Sequence, residues 1–407
     1  MRILVLGGGG REHALCWKLA QSQGVEVFAS PGNPGIAQVG ACLPATSSYL
    51  ALADEIAADL TVVGPEAPLV AGVGDQFRAS GRKIVGADRA SARLEGSKAF
   101  AKHFFARTNI PTADSVTADD PAGARRAIDR FGFPVVLKAD GLAAGKGVII
   151  AHDRAEAESA LTTLTGRLVV EEFLRGEEVS FIALSDGRNV VPLAPTQDHK
   201  AVFDGDTGPN TGGMGAYCDS AILTGAQAQY VLDRVIHPTV EATGFTGFLY
   251  AGLMMTDAGP KVLEFNVRLG DPETQPLMLR LASDFAPALL AAATGELAGV
   301  KLEWHPTPTV CVVLASGGYP GPFEKGRLIH GIADAEAAGA TVFHAGTRLE
   351  PAGLATSGGR VLGVTAAGDT LAAAIDNAYR GVRKIAFEGL HYRTDIGRKG
   401  LARNAPT

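Results

Sequence analysis

Short apolar runs rich in β-branched residues occur at 3–6, 25–29, 60–64 and 83–86, each separated from the next by enough chain for a helix. Strands alternating with helices predict βαβ units and a parallel sheet. Glycine- and proline-rich loops follow the strands at 7–10, 31–35 and 64–68. Ligands of such sheets sit beyond the carboxyl ends of the strands, so this first region is expected to bind a small molecule. From Ser97 a helix leads to Ile110-Pro111-Thr112, and the texture then changes. Strands separated by glycine turns at 134–139, 147–151, 167–173, 179–184 and 190–194 predict an α+β module with an antiparallel sheet. A polar, glycine-rich stretch spans 196–215, followed by a helix around 224–243, strands at 248–256 and 261–267, and a helix at 284–294. A last βα region (309–314, 361–366, 371–385) reads as a small closing domain. The expected fold class is therefore α/β and α+β: an N-terminal parallel α/β domain, a module of two α+β halves and a small C-terminal domain.

Composition narrows the function. With 46% hydrophobic and 20% charged residues the chain lies in the ordinary globular range. Lys and Arg (37) against Asp and Glu (43) give a net charge of −6, and no basic run offsets it, so a nucleic-acid backbone is not the expected partner. The apolar start, Ile3 to Leu6, is too short for a signal peptide, and no later run could span a bilayer, so a cytoplasmic protein without membrane contact is expected. Cys16, Cys42, Cys218 and Cys311 are far apart and match no zinc or dithiol spacing. They read as buried thiols in a reducing compartment.

Four segments carry chemistry. Gly7-Gly8-Gly9-Gly10-Arg11-Glu12-His13 follows a strand and opens a helix, a geometry that suits an anion. It fails as a dinucleotide fingerprint, because Glu12 stands at the third glycine position and Ala29-Ser30-Pro31 supplies no acid for a ribose. The run from Lys138 to Gly147, with Lys146 near its end, departs from P-loop spacing and continues into a strand. It reads as a hairpin whose glycine turn closes over phosphates. Glu171-Glu172-Phe173-Leu174, followed by Glu178, offers acceptors and an apolar wall between two strands. Finally, in Leu263-Glu264-Phe265-Asn266-Val267-Arg268 the strand period of two puts Glu264, Asn266 and Arg268 on one face. A carboxylate beside an amide oxygen suits Mg²⁺, and an arginine there could grip a carboxylate or phosphate with its fork.

Taken in order, the phosphate-hairpin lysines, the acidic hinge and the Glu-x-Asn strand resemble the ATP-grasp ligases, and most closely the phosphoribosylamine–glycine ligase family. The resemblance runs almost end to end. It is carried by Gly9-Gly10-Arg11-Glu12-His13-Ala14-Leu15, Gly64-Pro65-Glu66-Ala67-Pro68-Leu69, Leu94-Glu95-Gly96-Ser97-Lys98-Ala99-Phe100, the Lys138 hairpin, Gln197-Asp198-His199-Lys200, the run from Asp206 to Tyr217 and that from Glu264 to Gln275. Between Ala157 and Glu171 the chain is shorter than in that family, which implies a trimmed loop in the ATP lid.

The resemblance implies ATP and Mg²⁺ (or Mn²⁺) as cofactors, glycine and 5-phosphoribosylamine as substrates, and a monomer. It implies Lys98, Lys138 and Lys146 on the ATP phosphates, and adenine and ribose at Glu171, Glu172, Phe173, Leu174 and Glu178. Glu264 and Asn266 become metal ligands. Catalytic roles fall to Arg268, Lys138 and Asp198. Substrate contacts fall to Gly8, Gly9, Gly10, Glu66, Asn210, Thr211, Gly212, Gly213 and Arg268. The implied units are an N-terminal substrate domain (1–97), an ATP-grasp lid half (98–185), a central half with the metal site (186–300) and a closing domain (301–407).

Overall fold

The computed structural model describes residues 1–142 and 147–403; Lys146 lies outside them. The N-terminal region forms the expected parallel sheet. Arg2–Gly7 lies at its centre between Glu26–Pro31 and Leu60–Val63, with Ala41–Cys42 and Ile84–Val85 at the edges. Ile3, Leu4, Val5 and Leu6 are all buried, as a strand covered on both faces requires. The edge strand Ala41–Cys42 had no sequence signal, being two exposed residues without alternation.

A second, antiparallel sheet runs Ser115–Ala118, Leu168–Glu172, Val135–Ala139, Val148–Ala151. Val135, Leu137, Leu168 and Val170 belong to one apolar cluster with the helices Pro121–Phe131 and Arg154–Thr163. By alternation, Lys138 and Glu171 point out of the opposite face. The helix Arg154–Thr163 passes into the strand Leu168–Glu172 through residues 164–167 alone, where the sequence reads as shortened.

The third sheet is the backbone of the molecule. Its order is Gly259–Asn266, Thr246–Thr256, Glu177–Asp186, Thr196–Asp198, Gly215–Cys218, Thr309–Ala315, Arg360–Ala367, Thr341–His344, with Val190–Pro192 paired beside Glu177–Asp186. The C-terminal strands thus extend the same sheet that carries the polar strand Gly259–Asn266. The 196–215 stretch, expected only as polar chain, contains four short strands: Thr196–Asp198, Ala201–Phe203, Thr207–Asn210 and Gly215–Cys218. Each is set by its pairing partner and not by an apolar period of its own, so nothing local announces it. The helix around 224–243 is broken by a wider turn at Leu232–Ile236 just before Pro238, whose ring nitrogen cannot donate to the ladder. Among the described residues no helix is long and apolar enough to cross a membrane.

Candidate functional site

The helix Lys98–Thr108 is capped by Ser97, whose hydroxyl accepts from the Phe100 N–H at 3.1 Å. Its first and second turns project Lys98 and Lys102 onto one side, four residues apart. Lys98 Nζ donates to the Gly141 carbonyl at 2.9 Å. Lys102 Nζ lies 3.2 Å from Glu171 Oε1 and donates to Thr112 Oγ1 at 2.7 Å. Glu171 Oε2 is 2.9 Å from Lys138 Nζ, which also donates to the Leu263 carbonyl at 3.2 Å. Both lysines and the glutamate are buried. Burial pulls the Lys102 ammonium down to about 8, with Glu171 opposing the shift. The carboxylates read as nucleotide acceptors are therefore engaged within the chain. Glu171 holds two lysines, and Glu172 pairs with Lys261 at 3.0 Å while accepting the Asp114 N–H. Leu174 is buried beside them, and Arg175 reaches over the Phe173 ring.

The Leu263 carbonyl is available because the strand bulges there. Gly252 faces Glu264 and Leu253 faces Val262, which leaves Leu263 unopposed. Beyond the bulge, Glu264 and Asn266 share the polar face with Glu178, Ser180 and Tyr250 of the neighbouring strands. Lys200 sits over this face, 2.9 Å from Glu178 and 3.8 Å from Glu264. Burial pushes the Glu264 carboxyl up, but Lys200, Lys138, Lys98 and Arg268 outweigh it and hold it below its ordinary value. Burial dominates at Asp198, whose carboxyl is raised despite Lys200, with Glu273, Glu178 and Glu264 adding to the rise. Glu273 accepts from Tyr250 at 2.5 Å and Ser180 at 3.2 Å.

These oxygens also decide whether a divalent ion fits. Among the described residues no group of three or more His, Cys, Asp or Glu side chains is arranged to hold a metal by itself. Glu264 and Asn266 are hard donors side by side, and the carboxylate is kept ionised. That set suits Mg²⁺, which completes its shell with phosphate and water.

Arg268 closes the polar face. Nη2 donates to Glu95 at 2.8 Å and to Asn266 Oδ1 at 2.9 Å, Nε reaches Glu66 at 3.4 Å, and Nη1 reaches the Leu269 carbonyl at 3.3 Å. Burial raises the Glu66 carboxyl, yet Arg268 and Arg11 bring it below its ordinary value, whereas at the more buried Glu95 burial prevails and the value is raised. Glu95 also accepts the Val267 N–H at 2.8 Å, so it anchors both the strand and the arginine.

The glycine loop is more occupied than its sequence implies. The Gly9 N–H, expected to face an anion, donates to Glu12 Oε2 at 2.6 Å, and Arg11 is buried, donating to Glu12 at 2.6 Å and to the Leu269 carbonyl at 3.1 Å. Glycine is required here for space: a Cβ on Gly64 would fall 2.1 Å from Glu12, and one on Gly8 would fall 2.3 Å from the Gly32 carbonyl. The 210–213 turn is held by Thr211, whose hydroxyl donates to the Lys200 carbonyl at 2.8 Å and accepts the Gly213 N–H at 2.9 Å.

The structure thus gathers the lysines, Glu264, Asn266, Arg268, Glu66 and Asp198 around one polar face, with the 8–10 loop and the 210–213 turn at its far end. Sequence reasoning assigned no role to Lys102, Glu95, Glu273, Lys200 or Arg360. Lys102 was findable from its spacing to Lys98; Arg360, which arrives from the C-terminal strands, carried no local signal.

The chain matches the phosphoribosylglycinamide synthetase N domain over residues 1–95, the ATP-grasp (A) domain over 96–274 and the C domain over 309–399. It is 51% identical to a phosphoribosylamine–glycine ligase of Pseudomonas aeruginosa, with 99% of each chain covered, and 49% identical to one of Yersinia pestis, covering 99% of this chain and 100% of that one. Among solved structures it is similar to phosphoribosylamine–glycine ligase from Thermotoga maritima, with a TM-score of 0.85, 35% identity, and 97% of this chain and 100% of that chain covered. It shares its fold with N5-carboxyaminoimidazole ribonucleotide synthetase from Thermotoga maritima at 19% identity and a TM-score of 0.65, covering 95% and 99%. The chain belongs to the phosphoribosylglycinamide synthetase family of ATP-grasp ligases.

Proposed function

We propose that the chain joins glycine to 5-phosphoribosylamine at the expense of ATP, giving glycinamide ribonucleotide, ADP and phosphate, a step of purine synthesis. The observation that carries this reading is the order of groups along one polar face: lysines, then Glu264 and Asn266, then Arg268, then the 210–213 turn. Lys98 and Lys138, with Lys146 from the hairpin, bind the ATP phosphates. Adenine and ribose lie against Phe173, Leu174, Glu178 and the hinge backbone. A bound Mg²⁺ or Mn²⁺ would be held by Glu264 and Asn266 and would neutralise charge on the phosphoryl oxygens.

A glycine carboxylate oxygen attacks the γ-phosphorus and ADP leaves. The amine of phosphoribosylamine then attacks the acyl carbon of glycyl phosphate, phosphate departs with that oxygen, and the amine gives up a proton. Asp198, whose raised carboxyl favours accepting one, is the candidate acceptor. Arg268 orients the glycine carboxylate, which would displace Glu66, the most distant of its carboxylate partners at 3.4 Å. No protein nucleophile is required: burial raises the thiols of Cys16, Cys218 and Cys311, the last two to about 11 and about 12, whereas Cys42, against the expectation of four buried thiols, is exposed and is raised only by partial burial. The reading carries with it a monomer working in the cytoplasm, with 1–97 and 301–407 framing the two ATP-grasp halves 98–185 and 186–300.

The test is glycine labelled with ¹⁸O in its carboxylate. Labelled phosphate should appear in step with ADP, and ADP release should stop when glycine is omitted. Label kept wholly in the amide and water would exclude glycyl phosphate.

A further inference from the structure

Arg360 opens the strand Arg360–Ala367 and reaches the site from the side opposite the lysines. Its Nη1 donates to the Gly212 carbonyl at 2.6 Å, to the Asp271 carbonyl at 2.5 Å and, more weakly, to the Gly213 carbonyl at 3.4 Å. Its Nη2 bonds Asp271 Oδ2 at 3.0 Å. One guanidinium therefore ties together two turns, 210–213 and 270–273. The fit is close: a Cβ on Gly212 would lie 3.1 Å from Arg360 Cζ, and one on Gly213, whose φ is +112°, would lie 2.4 Å from Pro272 Cδ. The glycine loop approaches the same acid, since a Cβ on Gly10 would lie 3.5 Å from Asp271 Oδ1.

We propose that Arg360 is a positioning residue for the amine-bearing substrate, fixing the 210–213 turn and Asp271 as the wall against which that substrate is seated. The inference rests on the glycine and phosphoribosylamine reading above. Along 263–271 the chain touches Lys138 first, at the Leu263 carbonyl, carries Glu264, Asn266 and Arg268 next, and ends at Asp271. Bond making follows the same sequence, from phosphoryl donor to carboxylate to amine. The amine substrate therefore belongs at the Asp271 end. The wall there contains Gly212 and Gly213, which have little conformational restraint of their own; Thr211 and the Tyr319 hydroxyl hold their N–H groups, and the arginine holds their carbonyls and ties them to Asp271.

Arg360→Met and Arg360→Lys test this by separate kinetics for each substrate. A reacting group misplaced by an ångström can cost roughly 10²-fold. The Met variant should lose about that much in kcat/KM for phosphoribosylamine, and the Lys variant about tenfold, while the KM values for ATP and glycine stay within about twofold. Gly212→Ala, which presses a methyl against the guanidinium without deleting a charge, should give the same split if the arginine variants fold poorly. Equal losses for all three substrates, or unchanged phosphoribosylamine kinetics, would overturn the assignment. The unsubstituted chain in the same assay separates the two ideas: if it cannot use phosphoribosylamine at all, the functional reading falls and the positioning role with it.

Discussion

The two ends of the polar face solve the problem of buried charge with opposite stoichiometry. At the lid end, Lys98, Lys102 and Lys138 gather around one buried carboxylate, Glu171, which pairs with the latter two. At the other end one guanidinium, Arg268, is shared by two carboxylates, Glu66 and Glu95. The first cluster is left with excess positive charge; at the second, Arg11 also acts on Glu66 and burial raises Glu95, so the excess negative charge is smaller. An uncompensated charge in a partly dry site is costly, so each end is complementary to the ligand that cancels it. Phosphates suit the lysine end. A zwitterion such as glycine, its carboxylate on the Arg268 fork and its ammonium near the displaced acid, suits the arginine end, with the metal ligand Glu264 between the two.

The largest effect should come from removing the charge that lies between the ends. Glu264→Gln keeps the shape of the strand but deletes the ionised oxygen facing Lys200, Lys138 and Lys98. Turnover should fall by roughly 10²–10³-fold, the scale of losing one preorganised electrostatic group, with thermal unfolding little changed. Rates near normal across a range of Mg²⁺ concentrations would remove Glu264 from the metal face. Next in size, Glu171→Gln strips the lysine end of its internal counter-ion. Breaking such a buried pair typically costs about 3–5 kcal/mol, and ATP with Mg²⁺ should restore part of it, because the phosphates replace the lost charge. Denaturant midpoints with and without nucleotide give the answer; equal losses in both would mean that the excess positive charge is not meant for phosphate.

The two ends also differ in how much of them could be read from the sequence. The arginine end was legible in part: a period of two groups Glu264 with Asn266 on the strand Gly259–Asn266, and Arg268, just past the end of that strand, still reaches Asn266, but Glu95, which anchors the arginine, was missed. The lysine end was legible in Lys98, Lys138 and Glu171, but not in Lys102 or in its wiring. Glu171 read as a ligand for adenine or ribose, whereas its side chain binds Lys102 and Lys138, a contact that depends on how the helix Lys98–Thr108 packs against a sheet far along the chain. The bulge at Leu263 was invisible for the same reason: an extra residue in one strand shows only against its partner. Four of the five strands of the parallel N-terminal sheet, continuous apolar runs bounded by glycine, were legible to within two residues, whereas the edge strand Ala41–Cys42 was not. The short strands of 196–215 were not, since their positions are dictated by neighbours.

A smaller effect separates fork from charge at the arginine end. Arg268→Lys retains the cation but cannot hold Glu66, Glu95 and Asn266 at once. Glycine kcat/KM should fall by about ten- to a hundredfold, while ATP binding, governed by the other end, changes little. A larger loss for ATP than for glycine would mean that the two ends are not separable.

The smallest effect concerns the seam between the first domain and the C-terminal strands, where burial is not offset by an opposite charge. His13 accepts the His344 N–H at 2.7 Å, and burial pulls the two imidazoles down to about 3 and about 4, with each histidine's neighbourhood closed to solvent. Both values lie below the ordinary 6.5 of an unfolded histidine, so the unfolded chain binds more protons as the pH falls below 6.5. The stability they allow is fully present above 6.5 and declines towards 4. Buried His199, pulled down to about 3, adds to the decline, whereas Asp198, raised above its ordinary value, opposes it. His344→Gln removes one proton from this balance without touching either end of the polar face. Its unfolding free energy should therefore depend on pH less steeply than that of the parent between 6.5 and 4.5, by about 1.4 kcal/mol per pH unit. An unchanged slope would mean that His344 is already protonated in the folded chain, and that a charge reaches this seam after all.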